Sequence, residues 1–132
     1  MEIKYPSLIK RIQSILIDTL LMVVLIFLAA WVMDNMKIGE EQEGLVKAIT
    51  FVCIWGVYEP VCMILGSTLG NYLIGIRARK HSDTNKRINI FQAYVRFIVK
   101  ILLGWISFLT IGMNKERRAI HDLVAGTVMI EK

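Results

Sequence analysis

Apolar residues fall in three long blocks along the chain, separated by polar segments of differing charge. The first two blocks, residues 12–33 and 45–65, are each about 20 residues long, which at 1.5 Å per residue covers a hydrocarbon core of about 30 Å. Both are predicted to be spanning helices. The first is too long for a cleaved signal, and no clean small-residue cleavage site follows Ala29 and Ala30. The second is predicted to kink at Pro60, which removes an intrahelical donor. The third block, residues 90–113, contains Arg96 and Lys100, leaving about 13 uninterrupted apolar residues, or about 20 Å of helix. Three arrangements stay open for it: a re-entrant hairpin bending near Gly104, a shallow in-plane helix, or a full crossing with the lysine snorkelling to an interface. Residues 75–80 and 127–131 have the composition of short strands, and the turn residues at 82–85 follow the first of them. They form either a small ribbon, with the tail beside the segment after the second span, or disordered ends.

Composition narrows the class. Of the 132 residues 55% are apolar or aromatic, and only 20% are charged. Soluble domains have an apolar share of about 45–50% even with glycine counted. The expected fold is therefore an all-α membrane protein forming one domain over residues 1–132: two transmembrane helices, a third membrane-embedded segment that is re-entrant or spanning, and small cytoplasmic amphipathic or β elements in the tail, residues 114–132. Two cysteines cannot build a bridged secreted framework, and the length excludes a large soluble enzyme.

The net charge of +5 raises nucleic acid as a partner, but the positions of the charges argue against it. Lys4, Lys10 and Arg11 precede the first block, and Arg77, Arg79, Lys80, Lys86 and Arg87 lie between the second and third. The segment joining the first two blocks is acidic. This asymmetry predicts an inner-membrane protein with both termini and residues 66–89 cytoplasmic and the acidic loop outside.

Ionisable groups within a span cost about 2.5–3.5 kcal/mol each on insertion scales, so those present are candidate functional residues. Arg11, Ser14 and Asp18 share one face of the first helix, at i, i+3 and i+7. Glu59, Arg96 and Lys100 fall at a similar depth, about 9–15 Å from the ends of their own segments. Asp18, Glu59, Arg96 and Lys100 are expected to form one buried cluster at the foot of a cytoplasm-facing cavity, handling a proton or a monovalent cation. The alternative is that these charges neutralise one another and hold the bundle together. In the tail, Arg118 and Asp122 are spaced as an i, i+4 ion pair, with Gly126 at the helix end. Cys53 and Cys62 read as small core residues, His121 as an exposed interfacial histidine, and Tyr58 as one of several aromatic interface anchors. No catalytic, metal or cofactor spacing is apparent, so neither enzyme activity nor a cofactor is expected.

Taken together, Arg11 at the start of the first span, Asp18 within it, and the tail stretch from Arg117 through His121 and Asp122 to Thr127 resemble the RDD family of prokaryotic membrane proteins, named for an arginine and two aspartates. Arg11, Asp18 and Asp122 match that triad, and Arg96 matches an arginine that opens the third apolar segment. The run from Gly66 to Asn71 is similar to a threonine-any-glycine-lysine stretch, with Asn71 where the family usually has lysine. The resemblance implies a role in transport, with sodium or another monovalent cation exchanged for protons in some members. The other reading is a non-transporting scaffold whose basic face holds anionic lipid. Two or three helices enclose little volume, so a homo-oligomer or a partner membrane subunit is expected in either case.

Overall fold

The computed structural model describes residues 2–132. Helix α1, Leu8–Asn35, starts where the Ser7 side chain accepts a hydrogen bond from Lys10 N at 3.3 Å. Helix α2, Glu40–Leu65, opens with Glu40, Glu41 and Glu43, whose charges suit a helix N-terminus, and continues through Pro60. Both extend a few residues beyond the predicted apolar blocks. Their burial pattern is that of helices in lipid: Leu16, Leu20, Phe27, Val52 and Leu65 face outward, whereas Arg11 and Ser14 are buried.

At Gly66 the chain leaves α2 and forms a short helix, α3 (Leu69–Ile74), capped by Thr68. Gly75 takes the left-handed conformation that ends α3, at φ 76°, so strand β1 spans Ile76–Lys80, one residue shorter than expected. Helix α4, Ile90–Leu103, is started by a capping box in which Asn89 and Gln92 satisfy each other's main-chain N–H groups. Gly104, at φ 52°, turns α4 into a 3₁₀ helix, Gly104–Gly112. Helix α5, Ile120–Ala125, ends at left-handed Gly126 and leads into strand β2, Thr127–Glu131.

The two strands pair antiparallel, from Ile76 opposite Glu131 to Lys80 opposite Thr127. Glu131 N also donates to Lys4 O at 2.9 Å, so the N-terminus, the segment after α2 and the C-terminus meet at one end of the bundle. This pairing determines the path of the third apolar block. Residues 90–112 are long and apolar enough to cross a membrane, with an 18-residue window of mean hydropathy 1.8. Near its start, however, Gln92 bonds the main-chain oxygens of Ala125 and Gly126, and past Gly104 Ser107 meets His121 at 3.1 Å. The chain therefore enters the bundle along α4, reverses at Gly104 and returns as the 3₁₀ helix, with both ends at the ribbon. The apolar core likewise lies at this end, where Met63, Ile76, Ala78, Ile88, Ala93 and Met129 pack together.

Candidate functional site

The ionisable side chains inside the bundle sort into three groups rather than the single cluster expected from their depth. The deepest burial belongs to the tail. Asp122, fully buried on α5, accepts from Arg11 Nη1 at 2.6 Å through Oδ2 and from Arg96 Nη1 through Oδ1. Ala119 N adds a bond to Oδ2 at 3.1 Å. The guanidinium groups are anchored in turn, Arg11 on Arg117 O at 2.6 Å and Arg96 on Thr127 Oγ1 at 2.7 Å. Burial alone would push the Asp122 carboxyl up, but Arg96 and then Arg11 outweigh it and hold the group well below the usual carboxylate range. His121 beside it is buried, not exposed as expected. Burial pushes its imidazole down to about 3 against the opposing pull of Asp122, with Arg96, Lys100 and Arg11 adding to the fall.

Arg118 does not make the expected side-chain pair with Asp122. It donates to main-chain oxygens instead, to Thr127 O at 2.8 Å and Asp122 O at 3.3 Å, because the two partners from α1 and α4 already occupy the carboxylate. Arg96 belongs to this network and not to Asp18.

The second group is the pair Lys100–Glu59, which joins α4 to α2. The third is Asp18, half-buried on α1. It accepts from Tyr58 Oη at 2.9 Å and Gly70 N at 2.8 Å through Oδ1, and from Thr68 Oγ1 at 2.6 Å through Oδ2. Among the described residues no cationic side chain lies within ion-pair distance of it. One turn earlier on α1, Ser14 Oγ donates to Asn71 Oδ1 at 2.6 Å. Asn71, at the position of the family lysine, is therefore a buried partner of α1 and presents no cation. Gly70 permits this approach: a Cβ there would lie 2.1 Å from Ser14 O and 2.9 Å from the Asp18 carboxylate.

Two cavities connect the groups. One of about 140 Å³ is lined by Asp18, Tyr58, Glu59 and Lys100 with apolar walls that include Met22 and Phe97. A smaller one of about 40 Å³, nearer the ribbon, is lined by Arg11, Asp18, Glu59, Arg96, Lys100 and His121, among others. Asp18, Glu59 and Lys100 border both. Tyr58, Thr68 and Gly70 were not identified from sequence as ligands of Asp18. Thr68 carried a legible signal as a helix-capping threonine, whereas the role of Tyr58 depends on how α2 is rotated against α1. The cysteines depart from expectation too: Cys53 is on the outer face and Cys62 is half-buried, both free.

Apolar helices with outward hydrophobic faces and an inward polar seam define a multi-pass helical membrane protein. The chain belongs to the RDD family, whose model matches residues 5–126. It is also similar to an uncharacterized protein of Haemophilus influenzae strain Rd, 29% identical over 111 residues that cover 79% of this chain and 69% of that one. No solved structure matches it. Of the three positions matching the family's arginine and aspartates, Arg11 and Asp122 are in direct contact, while Asp18 is held separately by hydroxyl and amide donors.

Proposed function

We propose that this protein exchanges a monovalent cation for protons across the cell membrane, with Asp18 as the group for which the two compete. The carrying observation is that Asp18 is a half-buried carboxylate facing a cavity of about 140 Å³, with hydrogen-bond donors on it and, among the described residues, no side-chain cation within ion-pair distance. A carboxylate in a span is a group on which a cation can stand in place of a proton. The cavity has room for a few waters at about 30 Å³ each, so an ion could enter it partly hydrated. Glu59 lines the same space, and Lys100, bonded to Glu59, is a tethered cation within it that an arriving ion must displace or leave in place. Both termini are read as cytoplasmic, from the lysines and arginines gathered at that end. One small bundle encloses too little volume for alternating access, so the working unit is read as a homo-oligomer or a complex with another membrane subunit.

The test is a pH-sensitive dye inside proteoliposomes under a sodium or potassium gradient, comparing wild type with Asp18→Asn. A gradient-driven pH change lost in a variant of unchanged thermal midpoint is the expected result. No pH change with well-folded wild type would overturn it. A second reading, a scaffold whose charges serve assembly, is favoured by the buried Arg11–Asp122–Arg96 network, in which every charge is spent on holding elements together.

A further inference from the structure

The ribbon carries a set of cations that none of the three groups uses. Arg77 and Arg79 are two residues apart on β1, so both leave the face opposite Ile76 and Ala78, which belong to the apolar core. The loop that follows folds back along β1: Lys80 N donates to Lys86 O at 3.2 Å, which sets Arg87 next to Arg79 in the antiparallel sense.

Three arginines thus gather on one part of the ribbon with almost nothing to bond. Arg79 is 9% exposed, and its hydrogen bond is to the adjacent main-chain oxygen of Ala78 at 3.3 Å. Arg77 Nε is buried with no hydrogen-bond partner among the described residues. Nor does any carboxylate among them lie within 4.0 Å of these three side chains. The acids of this end are engaged elsewhere: Asp83 with Lys86, Glu116 with His81, Glu131 with Lys10. Burial, followed by the charges of Arg77 and Arg87, pushes Arg79 below its ordinary value, as expected of like charges held together without a counter-charge.

We propose that Arg77, Arg79 and Arg87 form a binding site for a phosphate group. Guanidinium forks match the geometry of phosphate as of carboxylate oxygens, and phosphate, with its larger charge, is the anion that lipid headgroups present at this level. The site lies at the end of the bundle where α1 begins and α2 ends, the depth of lipid headgroups for a chain spanning in this way. A phospholipid and a soluble phosphate both carry the required chemistry.

The experiment titrates the purified full-length chain in neutral detergent with dioleoylphosphatidylglycerol or, separately, with inorganic phosphate. Binding is read by native mass spectrometry and by thermal shift, with zwitterionic dioleoylphosphatidylcholine as the control. Saturable binding is expected in at least one of the two anionic arms, and the arm that binds identifies the source. Arg87→Gln, at an exposed position, is expected to weaken it about tenfold, the loss of one charge-assisted contact. Arg79→Lys keeps the charge and removes the fork, and should weaken it several-fold. Lys86→Gln, exposed in the same loop, is expected to change it less than about twofold. The proposal is overturned if neither arm saturates, or if Lys86→Gln and Arg87→Gln weaken binding equally, because a diffuse basic surface would then account for the attraction.

Discussion

The chain builds nearly the same backbone unit twice and gives it opposite chemistry. In the first unit, six-residue α3 ends at left-handed Gly75 and feeds the five-residue β1; in the second, six-residue α5 ends at left-handed Gly126 and feeds the five-residue β2. The third residue of each helix is directed at α1, Asn71 at Ser14 and Asp122 at Arg11, one turn apart on the same face. The α3 unit supplies donors to a carboxylate of α1, through Thr68 and Gly70 to Asp18. The α5 unit supplies the carboxylate, and α1 and α4 supply the donors. What differs is reversibility. A hydroxyl can turn from donor to acceptor, whereas a guanidinium and a main-chain N–H cannot. The charge of Asp122 is therefore bound to the fold, and that of Asp18 is not.

The largest break in this comparison is Asp122→Asn. Either orientation of the new amide aims N–H groups at Arg11 or at Arg96, and two buried cations lose their counter-charge. Removing one partner of a buried ion network costs about 3–5 kcal/mol. Thermal unfolding in detergent should show a chain barely folded or a large fall in midpoint; a fall as small as that of an exposed substitution would sink the assignment.

Gly70→Ala comes next. The added methyl would sit 2.1 Å from the main-chain oxygen of Ser14, so α3 must move off α1, at a cost near the upper end of overpacking, about 3 kcal/mol. The matching change in the other unit, Gly126→Ala, meets nothing closer than Gln92 Nε2 at 3.7 Å and strains only the left-handed backbone, about 1 kcal/mol. Chemical unfolding of the two variants side by side should separate them by about 2 kcal/mol.

Acid should distinguish the units gradually, over several pH units. His121 is held at about 3 in the folded protein, below its ordinary 6.5, so folding favours the neutral ring. The stability this lends is complete above pH 6.5 and is lost as pH falls from there toward 3, by at most about 1.4 kcal/mol per pH unit. Asp122, also depressed in the folded state, adds its own loss only below the ordinary carboxylate value of 3.8. Between pH 6.5 and 4, His121→Gln should flatten the fall in thermal midpoint; an unchanged slope would remove His121 as its source.

Much of this was legible along the chain, because lipid-facing helices, glycine caps and short strands are local patterns. Residues 45–65 needed only composition. Residues 127–131 have the composition of a strand but equally suit a disordered end, and a bend near Gly104 is one of three arrangements open to the third block; the pairing with β1 and the turn at Gly104 decide both. Depth, counted from helix ends, put Asp18, Glu59, Arg96 and Lys100 at one level, and all four line the smaller cavity, although they do not form one cluster. Depth does not determine which partner wins. By that count Arg96 lay level with Asp18, whereas α5, which leads into β2 of the ribbon, docks Asp122 and Thr127 beside it instead. The burial of His121 and the loss of the Arg118 pair follow from the same docking. An i, i+4 spacing states what two residues can do on an isolated helix and says nothing of two better-placed cations from elsewhere in the fold.

The smallest expected effect is the stability cost of Asp18→Asn. Oδ1 can still accept from Tyr58 and from Gly70 N, while the new Nδ2 faces Thr68 Oγ1, whose hydroxyl can rotate to accept. Every heavy-atom contact survives and no cation is left without its partner; Thr68 Oγ1, which also accepts from Asn71 N, gives up only the acceptor of its own proton, so the cost should stay at about 1 kcal/mol. Equilibrium unfolding of Asp18→Asn beside Asp122→Asn measures the contrast directly. If the two aspartates cost the same, Asp18 is as structural as Asp122. If Asp18→Asn is nearly silent, the first unit holds a buried charge that folding does not require, and the reason for its presence must lie in what the cavity admits.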